Sequence, residues 1–113
     1  MEMPSGIDKV LSMSLPPEPA TREELKQLFE VAQQCAGSDL VIDFSNVDIV
    51  TSASLSYLIR LQKLADDAGS RLILCGIRSV TKGVFDITGL DDVFEMCEHG
   101  SEAVARLQAG RAH

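Results

Sequence analysis

The sequence predicts a single α/β domain, and three observations support this fold class. Short runs of branched apolar residues, a pattern typical of buried strands, occur at 40–44 and 71–77. Longer segments with apolar residues at helical spacing lie between and after these runs. A chain of 113 residues has the length of one domain. Because parallel strands need crossover helices, the order predicts a mostly parallel or mixed sheet of roughly four to five strands with about four helices.

The first part of the chain predicts a strand followed by a helix. Residues 10–15 alternate apolar and polar side chains, which is the period of a half-buried strand. The prolines of "PPEP" at 16–19 then block regular structure. Thr21 and Glu24 have the spacing of a capping box, which predicts that a helix begins here. An apolar stripe follows on one helical face, and Gly37 is the predicted stop.

The next segment contains an unusual junction between a strand and a helix. The "LVIDF" run at 40–44 predicts a strand buried on both faces. After it, "TSAS" at 51–54 places three hydroxyls among four residues, and an apolar helical pattern runs from about 52 to 68 before Gly69. One hydroxyl is enough to cap a helix, and a cap contributes about 1 kcal/mol. The other hydroxyls fit an anion site, a phosphorylation site or a surface that a partner contacts.

The last part of the chain repeats the alternation. The run "RLILCGI" at 71–77 predicts a third buried strand. Ser79 is the predicted cap of a short helix that Gly89 closes. Residues 93–97 alternate again and predict a final strand near a sheet edge, and Ser101 begins the predicted last helix.

Neither a repeat nor a linker divides the chain. We therefore predict one domain over 1–113, with flexible ends at 1–8 and 110–113.

Composition and charge argue against several classes of protein. The net charge of −7, with no cluster of lysine or arginine, opposes binding to nucleic acid or to an anionic membrane surface. No apolar stretch approaches the roughly 20 residues of a membrane span, and the N-terminal sequence lacks the pattern of a signal peptide. The spacing of Cys35, Cys75 and Cys97 matches no zinc site. We expect three reduced thiols in a cytoplasmic protein, without metal or cofactor.

Residues suited to catalysis are scarce, so we predict that the chain is not an enzyme. His99 and His113 are the only histidines, and neither lies in a pattern that suggests a catalytic triad. No glycine-rich nucleotide loop is present. Asp43 ends a predicted strand, as the acceptor of a receiver-like protein does, but residues 1–20 supply no acidic cluster for such a site.

Residues 38–98 resemble the STAS domain family, which includes the bacterial anti-sigma factor antagonists. The resemblance rests on a strand that ends in Asp43-x-Ser45, the small-residue junction at 51–54, the leucine-rich helix after it and the closing segment "VFDITGLDDVF" at 84–94. It implies a STAS-like α/β domain that binds a protein partner in a partner-switching system. The implied partner is an anti-sigma factor or a serine-kinase-like protein, and the expected state is a monomer without membrane insertion.

The resemblance also assigns the site and raises a question about phosphorylation. The antagonists carry a phosphorylated hydroxyl at the position of Ala53, which cannot accept phosphate. Either Ser52 takes that role, with Ser54 as the second candidate, or the domain binds its partner constitutively. We favour constitutive binding. The alternative function is that of a STAS subunit in a lipid-transport ABC complex or a stress-signalling scaffold. The implied partner-binding residues are Thr51, Ser52, Ala53, Ser54, Ser56 and Tyr57.

Overall fold

The computed structural model describes residues 10–35 and 37–111. The ends predicted to be flexible at 1–8 and 112–113 lie outside the described residues, whereas residues 110 and 111 belong to the last helix.

The described residues form an α/β fold with a four-stranded parallel sheet in the order β1-β2-β3-β4. This confirms the predicted fold class. The strands are β1 Val10–Ser14, β2 Asp39–Asp43, β3 Leu72–Cys75 and β4 Glu95–Cys97. The helices are α1 Ala20–Gln34, α2 Ser52–Ala68, α3 Ser79–Thr88 and α4 Gly100–Arg111, with a 3₁₀ turn at Leu90–Asp92.

The two faces of the sheet are covered unequally. One core contains the buried sides of α1, α2 and α3 packed on the strands, with Leu28, Leu58 and Phe85 each at most 1% exposed. A smaller cluster on the opposite face joins the sheet to α4. Since α4 contacts β2, β3 and β4, Ser12 and Ser14 on the outer face of β1 remain in solvent, whereas Val10 packs at the margin of this cluster. This arrangement explains why β1 alternates, whereas residues 40–42 of β2 and all of β3 are apolar.

Helix α2 begins and ends where the sequence predicts. Thr51 caps its start through the side chain, and Gly69 closes its end in the left-handed conformation at φ +72°. Gly89 likewise closes α3. The apolar stripe of α2 is therefore a core stripe, with Leu58 and Leu61 fully buried.

The predicted caps of α1 and α3 were wrong. Thr21 lies inside α1, whose N-cap is Pro19 without a side-chain hydrogen bond. Thr21 is fully buried, and its hydroxyl donates to the carbonyl of Pro16 at 2.7 Å, so it serves the preceding loop and not the helix start. Ser79 is the first residue of α3 and follows the N-cap Arg78. Helix α1 also ends at Gln34, before the predicted stop at Gly37.

Candidate functional site

The start of α2 is built by a side-chain cap and remains open to solvent. Thr51 has extended backbone angles, and its Oγ1 accepts a hydrogen bond from the Ser54 backbone N–H at 3.2 Å. This bond satisfies one of the N–H groups that a helix start leaves without a partner. The side chains of Thr51, Ser52 and Ala53 are all exposed. Three adjacent residues therefore form an accessible surface at the start of this helix.

Glu18, in the loop between β1 and α1, supports this helix start from the outside. Its Oε2 accepts hydrogen bonds from the Thr51 backbone N–H at 3.0 Å and from the Ser54 hydroxyl at 2.7 Å. Burial alone would raise the pKa of the Glu18 carboxyl, but the hydrogen bonds from Thr51 and Ser54 outweigh it and hold the pKa below its ordinary value. The "PPEP" segment thus delivers a carboxylate to the positive end of α2.

Ser54 does not belong to the exposed surface. It is fully buried, and its hydroxyl donates to Glu18 and accepts from the Thr51 hydroxyl at 3.2 Å. In this conformation its oxygen is occupied within the fold, which disfavours Ser54 both as a phospho-acceptor and as a partner contact. Ser52 is the exposed hydroxyl that remains of the two candidate acceptors.

Ser56 and Tyr57 continue the surface along α2 to different degrees. Ser56 is exposed one helical turn after Ser52. Tyr57 is half-buried against the main core, and the Arg60 guanidinium carbon lies 5.3 Å from the centre of its ring. This distance is within the range of a cation–π interaction. The assignment of these residues to partner binding stays a prediction.

The loop before α2 is held in place by α3. The Arg78 guanidinium donates to the Ser45 carbonyl at 3.1 Å and to the Asp48 carboxylate at 2.6 Å. The Thr81 hydroxyl donates to the Asp48 carbonyl at 3.3 Å. Asp43 accepts from the Ser45 backbone N–H at 2.9 Å, which gives this carboxylate a role in a turn. These bonds fix the backbone that leads into Thr51.

Gly76 lies where the ends of β2 and β3 come close together. Its φ is +68°, a conformation that favours glycine, and a Cβ at this position would lie 2.8 Å from Oδ1 of Asp43. The close approach lets the backbone after β3 pass beside the Asp43–Ser45 turn.

The three cysteines are free thiols, and two of them, Cys75 and Cys97, are poorly suited to nucleophilic chemistry. Burial, with smaller contributions from Asp43 and Cys97, raises the pKa of the Cys75 thiol to about 11. Burial also raises the pKa of Cys97. Both thiols therefore stay protonated near neutral pH, whereas a nucleophilic reaction requires the thiolate.

Within 10–35 and 37–111, no group of three or more His, Cys, Asp or Glu residues has a geometry that could hold a metal ion. In the same part of the chain, no helix has both the length and the apolar character of a membrane span.

Comparison with known proteins identifies the family. The family model of the STAS domain matches residues 12–103, which is most of the chain. The chain belongs to the STAS domain family. A comparison with curated proteins finds no match.

Solved structures agree with this assignment. A STAS domain protein described as an anti-sigma factor antagonist from Planctomyces limnophilus has a TM-score of 0.79 at 18% identity, covering 92% of this chain and 95% of that one. A putative anti-sigma factor antagonist from Thermotoga maritima has a TM-score of 0.71 at 16% identity, covering 90% of both chains. The antagonist SpoIIAA in its unphosphorylated form has a TM-score of 0.70 at 14% identity, covering 95% of this chain and 96% of that one. At such identities the likeness shows the fold.

This STAS domain has two supporting residues that the sequence did not reveal. Glu18 is 33 residues from Thr51 and 36 from Ser54, and Arg78 is 30 residues from Asp48. No local pattern indicates contacts over such separations. The only available signal was that prolines flank Glu18. Prolines make the loop at the carboxyl edge of the sheet rigid, and this loop holds the Glu18 side chain near the start of α2.

Proposed function

We propose that this STAS domain is a non-catalytic, cytoplasmic binding module that contacts a protein partner through the start of α2. The observation that carries the proposal is the exposure of Thr51, Ser52 and Ala53 on a helix start that Glu18 and Arg78 support. A preorganised surface loses little conformational freedom when a partner binds. The proposed partner is an anti-sigma factor or a serine-kinase-like protein of a partner-switching system.

Two features support binding that does not depend on phosphorylation. Ala53 has no hydroxyl at the position where the antagonists carry the acceptor. Glu18 already brings a carboxylate to the start of α2, where a phosphate would otherwise find free N–H groups and the positive helix end. We therefore favour a constitutive binder, with Ser52 as the remaining candidate for a phospho-switch.

The first experiment recovers the partner with the immobilised chain from the native host and measures its affinity by calorimetry. We expect Ser52→Asp to weaken binding at least tenfold, which is about 1.4 kcal/mol, because the interface would bury an unpaired charge. Ser101→Asp is the matched control, since Ser101 is also an exposed serine near a helix start but lies on α4, across the sheet. Unchanged affinity for a folded Ser52→Asp variant would contradict the proposed surface.

A second experiment tests the phosphorylation hypothesis. The chain is incubated with the recovered partner and ATP, and its peptides are analysed by mass spectrometry. We expect either no phosphate or one phosphate at Ser52, with the buried Ser54 unmodified in the folded chain. Phosphate at Ser101, which lies in the first turn of α4 on the opposite face of the sheet, would contradict the assignment of the site to the start of α2.

A further inference from the structure

Two of the free cysteines lie side by side on neighbouring strands. Cys75 is the last residue of β3, Cys97 is the last residue of β4, and the two are direct partners in the register of this parallel pair. Because side chains alternate along a strand, partners in register point to the same face of the sheet. Here it is the face covered by α4, where Cys75 belongs to the smaller core cluster and Cys97 packs against that cluster.

The spacing of the two strands suits a disulfide bond between these residues. Neighbouring strands lie about 4.8 Å apart, and the Cα atoms of directly paired residues have about this separation. The Cα atoms of a disulfide are usually about 4.4–6.8 Å apart. The Gly76 N–H donates to the Cys97 carbonyl at 3.3 Å, which keeps the strands paired at this end. The backbone therefore needs no large movement for the two sulfurs to bond.

In the reduced chain each thiol has a partner of its own. The Cys75 thiol donates to the Ile42 carbonyl at 3.6 Å, and the Cys97 thiol donates to the His99 carbonyl at 3.2 Å. The Cys75 sulfur therefore points toward β2 and must rotate about its Cα–Cβ bond to reach Cys97. Gly100, the first residue of α4, leaves room for this rotation, because a Cβ there would lie only 3.9 Å from the Cys75 sulfur. Since thiols are weak donors, little hydrogen-bond energy opposes the change.

The two sulfurs differ in access to solvent. Cys75 is 2% exposed, whereas Cys97 is half-buried and lines a cleft of about 440 Å³ with Gly76 and Ser79. A small oxidant therefore reaches Cys97 first, and Cys75 reacts only with a group already attached to Cys97. The third thiol, Cys35, packs against the main core on the opposite face of the sheet and is not placed to take part.

We propose that Cys75 and Cys97 are a modification site, at which a small disulfide such as oxidised glutathione converts the two thiols into a reversible disulfide bond. The Cys97 thiolate attacks the small disulfide, which gives a mixed disulfide and releases one small thiol. The Cys75 thiolate then attacks the Cys97 sulfur and releases the second small thiol. Two protein thiols are oxidised, one small disulfide is reduced to two thiols, and the two protons pass from the protein thiols to the thiols released.

Proximity compensates for the low reactivity of the two thiols. Burial raises the pKa of Cys75 to about 11 and also raises the pKa of Cys97, so that a small fraction of each is thiolate near neutral pH. The first step is therefore slow. The second step is intramolecular, and well-placed groups react as if at very high concentration. The cross-link accumulates and the mixed disulfide does not. The proposal does not depend on the function proposed for the start of α2.

The cross-link fastens the carboxyl end of the shortest strand in the described sheet. Strand β4 has three residues, and all of them are half-buried. Its first residue, Glu95, forms ion pairs with Arg71 and Arg106. Its last residue, Cys97, gains a covalent link to β3 when the disulfide forms. The bond also closes residues 76–96 into a loop in the unfolded chain, which lowers the entropy of that state.

The test treats the reduced full chain with oxidised glutathione at pH 8, in buffer and in urea. The remaining thiols are blocked, and the tryptic peptides are analysed by mass spectrometry. Trypsin places the three cysteines in separate peptides, because Lys or Arg residues lie between them. We expect the folded chain to give one cross-linked peptide pair, with Cys75 joined to Cys97 and Cys35 outside it. The chain in urea should give a mixture of pairings.

Three variants separate the roles of the thiols. In Cys75→Ser the reaction should stop at the glutathione adduct of Cys97, and in Cys97→Ser the buried Cys75 should stay a free thiol. Cys35→Ser is the matched control and should form the cross-link at the wild-type rate. Its oxidised form should have a urea midpoint about 1 M above that of its reduced form.

Several outcomes would overturn the proposal. They are a glutathione adduct of Cys97 that persists in the wild-type chain, a cross-link that includes Cys35 or joins two chains, the same mixture with and without urea, or no reaction in the folded chain. A urea midpoint that is unchanged or lower after oxidation would also overturn it, because the bond would then strain the strands that it joins.

Discussion

Removal of the Glu18 carboxylate should destabilise the domain, although Glu18 belongs to no regular element. The carboxylate accepts two hydrogen bonds, from the Thr51 N–H and from the Ser54 hydroxyl. A hydrogen bond to a charged group contributes about 1.5–3 kcal/mol. Because Glu18 is half-buried and solvent screens part of this energy, we take the lower end. With two bonds at about 1.5 kcal/mol each, we expect Glu18→Ala to lower the free energy of unfolding by about 3 kcal/mol and Glu18→Gln, which keeps one acceptor oxygen, by about 1 kcal/mol.

The assay is urea denaturation at several pH values, with Glu30→Gln as a control on an exposed residue of α1. The pKa of Glu18 is below its ordinary value in the folded chain, so the unfolded chain binds the proton more readily. The stabilisation is therefore complete above the unfolded pKa and is lost as the pH falls through the folded pKa. The difference between wild type and Glu18→Gln should shrink below about pH 4.

Two results would refute this reasoning. One is a Glu18→Ala variant as stable as wild type at pH 7, which would show that the two hydrogen bonds contribute no net energy. The other is a difference between wild type and Glu18→Gln that stays constant down to pH 3, since the carboxylate charge would then play no part.

Three further predictions follow from the same structure. Gly69→Ala should lower the free energy of unfolding by about 1–2 kcal/mol because the φ of Gly69 is positive. Gly76→Ala should lower it by at least about 1 kcal/mol more, since its Cβ would lie 2.8 Å from Asp43 Oδ1, whereas a Cβ at Gly69 would lie in open space. Equal losses on urea denaturation would contradict the close approach at Gly76. At pH 8 a thiol reagent should leave Cys75 unlabelled in the folded chain, because it is buried with a pKa of about 11; labelling of Cys75 at the rate seen in urea would disprove this. Light scattering should give the 12.2 kDa mass of a monomer, and a larger mass that falls on dilution would count against it.

The sequence determined most of the local structure, because its signals act over a few residues. Helix α2 begins after a side-chain cap by Thr51 and ends at a left-handed turn at Gly69, and both effects are local. The branched runs at 40–44 and 71–77 predicted β2 and β3, since strands covered on both faces have no polar side to alternate with. The family resemblance came from the same segments.

The tertiary structure decided which of these side chains are accessible. Thr21 matched a capping pattern, yet it is buried in the core and its hydroxyl donates to the Pro16 carbonyl. Ser54 matched the exposed junction, yet its position on the inner face of α2 buried it against Glu18. Exposure and contacts between residues more than 30 positions apart depend on how the elements pack, and no short stretch of sequence contains that information.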